Sequence, residues 1–259
     1  MNILDTIVAR KKIEIAQAKE NISIQQLEQC NFFNRSTVSL SQNILKENST
    51  GIIAEFKRKS PSKGIINDKA YAVEVVKDYE QAGVSGSSVL TDTDFFGGSK
   101  EDLQNVRKEV SLPLLRKDFM IDEYQFIEAK NWGADVILLI ASILTPQQVK
   151  SFTDLAKSLH LEVLLELHGE NELNHVYHKV DMVGVNNRNL KTFEVDIEQS
   201  IRMANKLGND FVKIAESGIS NISTLKHFKQ NGFQGFLIGE NFMKTDHPGK
   251  ACKDLIAQL

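Results

Sequence analysis

The sequence predicts an α/β protein whose parallel strands close into a (β/α)8 TIM barrel. Eight short runs rich in β-forming residues alternate with longer stretches of helical period from residue 51 to the C-terminus. These runs are apolar along most of their length, as strands covered on both faces are. A chain of 259 residues is long enough for one such barrel. A doubly wound open sheet is the structural alternative.

The predicted strands are 51–56, 87–91, 112–116, 134–140, 161–166, 181–185, 211–215 and 234–238. The predicted helices include 70–82, 122–131, 146–159, 196–206 and 220–230, and several end at a glycine, as many helices do. Residues 1–50 precede the first strand, and their helical stripe contains Leu4, Ile7, Val8 and Ile15. We therefore predict one domain over residues 1–259, with extra N-terminal helices in 1–50 and the barrel in 51–259.

The composition bears on partners and location. The 31 basic and 34 acidic residues give a net charge of −3, which does not favour nucleic acid or an anionic membrane surface as a partner. Cys30 and Cys252 lie in no metal or redox spacing, as expected of reduced thiols in the cytoplasm. The sequence shows neither an export signal nor a long apolar run. We expect a cytoplasmic monomer with a small, anionic substrate.

The segment IAEFKRKSPSKG at 53–64 opens as a buried strand and ends as a charged loop. Side chains alternate along a strand, so Ile53, Glu55 and Lys57 share one face. Burying unpaired charges costs several kcal/mol, so Glu55 and Lys57 must either form a salt bridge with each other or bind a ligand. The segment indicates the mouth of an active site, with a structural ion pair as the simpler alternative.

The same alternation places polar groups on the inward face at other strand ends, where barrel enzymes hold their active sites. Together with the first strand, the set is Glu55, Lys57, Lys117, Glu166, Asn186, Arg188 and Glu216. Cations bind carboxylate or phosphate, and mixed charges spread pKa values, so the set suits an anionic substrate that gains and loses protons. For Lys57, Arg188 and Glu216, a salt bridge at the rim is the competing interpretation.

Two glycines follow the last two predicted strands, at the usual phosphate position of this fold. Gly218 and Gly239 would let backbone N–H groups approach an anion, although each alone is typical of a turn. His168, His175 and His178 show no zinc-motif spacing, so we predict no metal site.

Seven stretches carry a resemblance along essentially the whole chain: IIAEFKRKSPSKG, SVLTDTDFFGGS, PLLRKDFMIDEYQ, GADVILLIA, GVNNRNL, AESGI and FLIGENFM. In order and spacing the chain resembles the indole-3-glycerol phosphate synthase family. The resemblance implies closure of 1-(2-carboxyphenylamino)-1-deoxyribulose 5-phosphate to indole-3-glycerol phosphate, with loss of CO2 and water and no cofactor.

The resemblance also implies a role for each matching residue. Lys117 would be the general acid, Glu166 would assist dehydration, and Glu55 would support the proton relay and orient Lys117. Lys57 would hold the substrate carboxylate. Asn186 and Arg188 would shape and stabilise the intermediate, and Glu216 would join the substrate-binding residues. Phosphate would be bound by Ser60, Ser217, Gly218 and Gly239, and the aromatic pocket lined by Pro61, Phe119, Leu138, Leu190 and Leu237.

Glu240 follows Gly239 in the proposed phosphate site. A carboxylate cannot bind an anion through its side chain, so we expect the backbone N–H of Glu240 to face phosphate and its side chain to turn away.

Three other functions remain open at this point. An isomerase on the same phosphate-binding barrel would need a Cys and Asp pair at strand ends, and no cysteine lies at one. A Schiff-base aldolase would use Lys117 as a nucleophile. A non-catalytic barrel would lack a catalytic group, whereas all the expected ones are present.

Overall fold

The structure is a computed structural model and describes residues 3–29, 32–188 and 194–259. Eight parallel strands close into a barrel, with each strand hydrogen-bonded to its neighbours in chain order and the first strand bonded to the last. The predicted (β/α)8 architecture is confirmed, and the open sheet is excluded because the first and last strands pair.

All eight predicted barrel strands form, and their ends agree with the prediction to within two residues. A two-stranded hairpin, β2 and β3, inserts after the first strand. The strands are β1 (Ile52–Phe56), β2 (Lys59–Ser60), β3 (Gly64–Ile65), β4 (Gly86–Leu90), β5 (Leu114–Lys117), β6 (Val136–Ile140), β7 (Glu162–Leu167), β8 (Met182–Asn186), β9 (Val212–Glu216) and β10 (Gly235–Ile238).

The five predicted helices form between the strands. The helices are α1 (Ile3–Asn21), α2 (Ile24–Glu28), α3 (Leu40–Leu45), α4 (Ala72–Ala82), α5 (Lys100–Glu109), α6 (Tyr124–Asn131), α7 (Pro146–Ser158), α8 (Ile197–Asn205), α9 (Ile222–Gln230), α10 (Glu240–Met243) and α11 (Pro248–Ile256), with 3-10 turns at Ala141–Ile143 and Glu170–His175. The prediction did not include α5, whose ten residues KEDLQNVRKE are mostly polar and bury only two apolar side chains, so its apolar stripe is narrow.

The strands carry two apolar layers, as their composition predicts. On β1, Ala54 and Phe56 belong to the outer layer between sheet and helices, while Ile53 belongs to the layer inside the barrel. The inner layer also contains Leu115, Leu164 and Ile214 from other strands. The alternation predicted for β1 is therefore confirmed, and residues two positions further along each strand face the mouth of the barrel.

The N-terminal helices cover both ends of the barrel. Leu40 and Ile44 of α3 join the inner apolar layer at the N-terminal end of the strands. On α1, Ile7 and Ile15 are buried as the stripe predicts, and Lys11 between them is buried too. No helix in the part of the chain that the structure describes has the length and apolar composition of a membrane span.

Candidate active site

A cavity of about 270 Å³ opens at the C-terminal ends of the strands. Sixteen of the seventeen predicted site residues line it, and the remaining one, Leu190, lies outside the described residues. The lining set is Glu55, Lys57, Ser60, Pro61, Lys117, Phe119, Leu138, Glu166, Asn186, Arg188, Glu216, Ser217, Gly218, Leu237, Gly239 and Glu240.

The floor of the cavity is a charged triad centred on Lys117, at the end of β5. Its Nζ atom donates hydrogen bonds to Glu166 Oε2 at 2.9 Å and to Glu216 Oε2 at 2.6 Å. Burial disfavours the charged amine, but the attraction of the two carboxylates outweighs it and raises the pKa of Lys117. Lys117 is therefore an ammonium that carries its proton at neutral pH.

The two carboxylates of the triad differ in proton affinity. Burial favours a proton on both, but Lys117, His168 and Asn186 hold the pKa of Glu166 well below its usual range. Burial raises the pKa of Glu216 to about 7, because Lys117 offsets only part of it and Glu166 adds repulsion. Environments that give two neighbouring carboxyl groups different pKa values are typical of acid and base pairs in active sites.

Glycines make room for the buried carboxylates. A Cβ atom on Gly184 of β8 would collide with Glu216 Oε1, and one on Gly239 would lie 2.5 Å from Glu55 Oε1. The inward-facing position 184 of β8 therefore requires glycine, because the Glu216 carboxylate occupies the space that a side chain would need.

Glu55 pairs with Lys57, the residue that follows the end of β1. Lys57 Nζ donates to Glu55 Oε1 at 2.6 Å, and the Lys57 side chain is 17% exposed. The resemblance led us to expect Glu55 to orient Lys117, but in the structure Glu166 and Glu216 hold that ammonium. Glu55 acts on Lys117 through charge alone, because its carboxylate is taken by Lys57 two residues away on the same face.

Glu166 is held on its other side by polar groups. Asn186 Nδ2 donates to Glu166 Oε1 at 3.0 Å, and His168 Nε2 lies 3.1 Å from the same oxygen. Asn186 Oδ1 accepts the backbone N–H of Arg188 at 3.0 Å, which ties the end of β8 to the following loop. The carboxylate is thereby fixed between Lys117 and His168.

Arg188 and Glu240 face each other at the proposed anion site. Arg188 donates to Ser62 Oγ at 3.1 Å and to Glu240 Oε2 at 3.3 Å, while Lys63 Nζ lies 3.7 Å from Glu240 Oε1. The Glu240 side chain does not turn away as expected, because two cations attract it toward the cavity. Ser62 and Lys63 belong to the segment that the sequence indicates as the mouth of the site.

The backbone after β9 has an uncommon conformation. Ser217 and Gly218 both have positive φ, 67° and 73°, although only glycine adopts that region freely. Asn187 Nδ2 holds the turn by donating to Ser217 O at 2.6 Å. Strained residues of this kind occur at ligand sites, where the surrounding structure fixes them.

Part of the cavity lining is an apolar wall. Phe119 and Phe96 pack with ring centroids 5.9 Å apart, and Leu138 and Leu237 belong to the same apolar cluster. The prediction did not assign Phe96, or Ile3, Leu4 and Ile7 of α1, to the cavity. The stripe of α1 was visible in the sequence, but an apolar stripe indicates burial and does not say against what.

The histidines do not gather as a metal site. Among the described residues, no group of three or more His, Cys, Asp and Glu side chains is placed to hold a metal ion. His175 contacts the backbone oxygens of Glu172 and Leu144, while His168 faces Glu166.

Known proteins resemble this chain along its whole length. The family model described as "Indole-3-glycerol phosphate synthase" matches residues 4–255. A protein of that name from Bacteroides thetaiotaomicron is 46% identical over 259 residues, covering 100% of this chain and 99% of the relative. One from Campylobacter fetus is 41% identical over 254 residues, covering 98% of each chain. One from Polynucleobacter asymbioticus is 38% identical over 265 residues, covering 99% of each.

A solved structure supports the fold. A chain from the tryptophan synthase complex of Pyrococcus furiosus superposes with a TM-score of 0.61 at 13% identity, covering 80% of this chain and 96% of the other. At that identity the likeness concerns the barrel alone. The family match, the relatives and the barrel with its charged mouth agree, and the chain belongs to the indole-3-glycerol phosphate synthase family.

Proposed function

We propose that this protein closes 1-(2-carboxyphenylamino)-1-deoxyribulose 5-phosphate to indole-3-glycerol phosphate, releasing CO2 and water. Membership of the family supports the activity. The observation that carries the mechanism is the partly buried Lys117 ammonium between Glu166 and Glu216 at the cavity floor. The reaction needs a proton at a carbonyl oxygen and later at a leaving hydroxyl, and this triad can supply both.

Lys117 is the proposed general acid for ring closure. Its raised pKa means that the proton is present at neutral pH, and the surrounding acids orient the ammonium toward the cavity. Transfer of that proton to the substrate carbonyl oxygen lets the aromatic ring carbon attack the carbonyl carbon. Glu166, which then lacks the adjacent cation, becomes more basic and serves the dehydration step.

The charged rim binds the two anionic ends of the substrate. Lys57 is the proposed partner of the carboxylate, which would compete with Glu55 for the same ammonium. For the phosphate we propose Ser60, Arg188 and the backbone N–H groups around Gly218 and Gly239. The aromatic ring would lie against the apolar wall formed by Pro61, Phe119, Leu138 and Leu237.

The competing functions fit less well. A Schiff-base lysine must lose its proton to attack a carbonyl, and the two carboxylates favour the charged form of Lys117. The cysteine needed for the isomerase is not at a strand end in the described chain, because Cys252 is buried on α11.

The test is the appearance of indole fluorescence when purified protein is mixed with the substrate in the presence of a chelator. Product formation that persists with chelator supports the proposed reaction without an essential metal. Borohydride added with substrate separates the aldolase, since only an imine is trapped covalently. Tight substrate binding with no product would reject the synthase activity and indicate a barrel that has lost it.

We also propose that the protein acts as a monomer in the cytoplasm. In favour of a monomer, one chain supplies the charged floor, the rim and the apolar wall of the site. In favour of the cytoplasm, Cys252 is a free, buried thiol, and the substrate is a phosphorylated metabolite. Light scattering after size exclusion tests the first proposal, and cell fractionation tests the second.

A further inference from the structure

One titratable group at the cavity is not used by the mechanism above. His168 follows β7, two residues beyond Glu166 on the same inward face, and its side chain is 11% exposed. Its Nε2 lies 3.1 Å from Glu166 Oε1, an ion pair that is not aligned as a hydrogen bond. Its Nδ1 lies 3.2 Å from Ser142 Oγ.

The hydrogen-bond partners of Ser142 determine where the protons on this ring lie. Ser142 has one hydroxyl proton and donates it to Glu172 Oε1 at 2.6 Å. Its oxygen can then only accept from His168 Nδ1, so Nδ1 carries a proton. Nε2 faces an ionised carboxylate and carries one as well. The geometry therefore describes an imidazolium between Glu166 on one side and Ser142 with Glu172 on the other.

The surrounding charges agree with an imidazolium. Burial opposes the charge, but Glu166, Glu172 and Glu216 together raise the pKa of His168 above its ordinary value. Glu172 also accepts the backbone N–H of His168 at 2.6 Å, which fixes the ring beside it. A second, polar cavity of about 130 Å³ is lined by His168 together with Glu194 and Asp196.

The proposed reaction requires a proton from solvent in every turnover. A carboxylate that leaves as CO2 leaves one negative charge behind, and one proton must neutralise it. Bound substrate would cover the cavity mouth, so the proton needs another route to the floor. His168 has one ring nitrogen at Glu166 and the other at Ser142, which is exposed.

We propose that His168 is a positioning residue that returns a proton to Glu166 and regains it from solvent through Ser142. In the transfer, the His168 Nε2–H bond breaks and a Glu166 Oε1–H bond forms, leaving a neutral imidazole. The transfer follows discharge of Lys117, because Glu166 has then lost the cation at 2.9 Å that kept it ionised. Glu166 passes the proton to the leaving hydroxyl, which departs as water. The C–H proton lost from the adjacent carbon as the indole double bond forms goes to the neutral Lys117 amine, so that one proton per turnover comes from solvent.

The inference rests on the proposed function, so its first test needs no substrate. Histidine ring ¹⁵N signals are measured by NMR over a pH series, and the His168 signals are assigned by their loss in His168→Gln. We expect both ring nitrogens of His168 to be protonated at pH 7. In Ser142→Ala we expect the pKa of His168 to fall. A neutral His168 ring at pH 7 would overturn the proposal whatever the enzyme's activity.

The second test measures turnover. His168→Gln should lower kcat by about 10- to 100-fold with little change in KM, since the substrate contacts remain. Added imidazole should restore part of kcat in this variant and leave the wild type unchanged. Ser142→Ala, a surface change with little risk to folding, should make kcat depend on buffer concentration.

A matched control separates proton transfer from packing. His175→Gln alters the 3-10 turn at Glu170–His175, close to His168 in the chain, and removes a ring whose hydrogen bonds go to the backbone oxygens of Glu172 and Leu144, so it should keep the wild-type pH profile. The relay would be overturned if His168→Gln kept the kcat of the wild type and the kcat of Ser142→Ala did not depend on buffer concentration. If the wild type itself makes no indole product, the proposed function fails, and the NMR titration still decides the state of His168.

Discussion

Two lysines of this protein, the buried Lys11 and the partly buried Lys117, have similar partners and different consequences. Lys11 of α1 lies 3.0 Å from both Asp92 and Asp118, and Lys117 of β5 lies 2.9 and 2.6 Å from Glu166 and Glu216. In both, neighbouring carboxylates overcome burial and raise the pKa of the ammonium. Ion pairing and a shifted pKa therefore do not by themselves distinguish an active site from a structural cluster.

What differs is the position of each ammonium relative to the cavity. Lys11 does not border the cavity, and its partner Asp118 also accepts from Arg116 at 3.0 Å and from Thr91 at 2.6 Å. Lys117, Glu166 and Glu216 all border the cavity, so a bound molecule can reach the whole triad. Adjacent residues of one strand thus serve two purposes, because alternation sends Lys117 inward and Arg116 outward.

The largest effect should come from Lys117→Met. We expect turnover to fall by about 10²- to 10⁴-fold, because the variant keeps the shape of the side chain and loses the proton source. The fold should survive, since Glu216 already takes a proton readily and the floor borders an open cavity. Indole fluorescence measures activity, and circular dichroism with urea unfolding measures the fold. Full activity in the variant would refute the mechanism.

Lys11→Met should give the opposite result. It leaves Asp92 buried without a cation and Asp118 with Arg116 alone, and we expect the free energy of unfolding to fall by about 3–5 kcal/mol. The folded fraction should keep most of its kcat, because Lys11 does not line the cavity. Urea titration measures the loss.

The control for that prediction is Lys19→Met on the same helix. Lys19 pairs with Asp122 at 2.8 Å and is 46% exposed, so its removal should cost less than about 1 kcal/mol. If the two helix variants lose equal stability, the buried network around Lys11 contributes no more than a surface pair, and the comparison fails.

The sequence predicts one of the two clusters and not the other, for a physical reason. Strand alternation and the position of strand ends are local properties, so they place Lys117, Glu166 and Glu216 at the barrel mouth. Lys11 occupies a helical stripe with Ile7 and Ile15, where a lysine is ordinarily read as a solvated interruption. Its burial depends on the acids of β4 and β5 loops, which only the assembled barrel brings near.

The sequence also did not predict which charged side chains pair with each other within the site. Glu216 reaches Lys117 across the barrel from β5 to β9, which depends on the tilt and stagger of the closed sheet and not on alternation. The same applies to Glu240, whose side-chain direction is set by Arg188 and Lys63 from two other loops. The fold and the charged strand-end members of the site followed from local patterns, and the remaining members followed from the family resemblance. Pairing within the site required the three-dimensional arrangement.

Glu216→Gln tests the unequal proton affinities within the triad. In the folded protein Glu216 keeps its proton up to about pH 7, while the unfolded chain loses it near the ordinary value of 4.5. The folded state therefore binds more protons in this window, and stability falls as pH rises from 4.5 to 7. Glu216→Gln has no carboxyl group to titrate and does not lose this stability as pH rises. Urea unfolding should therefore show that the free energy of unfolding of the variant, minus that of the wild type, is larger at pH 8 than at pH 5.

Glu166→Gln is the matched control. The pKa of Glu166 is lowered in the folded protein, so its contribution is complete above 4.5 and is lost only as pH falls through the folded pKa. Between pH 5 and pH 8 the charge of Glu166 itself is constant, so any pH dependence of its variant comes from Glu216 and His168, whose pKa values Glu166 raises. A pH-independent difference between Glu216→Gln and wild type would show that Glu216 has an ordinary pKa.

The smallest effect concerns the rim, where the pairs are more exposed than at the floor. Glu240 is 36% exposed and contacts Arg188 at 3.3 Å, so a substrate phosphate must compete with this carboxylate. Glu240→Gln removes the competing charge and should lower KM by about twofold to fivefold, within the range of exposed ion pairs, with kcat unchanged. The effect should shrink at high salt, because exposed charges are screened.

The control is Glu198→Gln, which removes an exposed partner of His227 and should leave KM unchanged at any salt concentration. A KM that rises in Glu240→Gln would instead show that the carboxylate holds Arg188 in its binding position, and the rim would then be a network as cooperative as the one around Lys11.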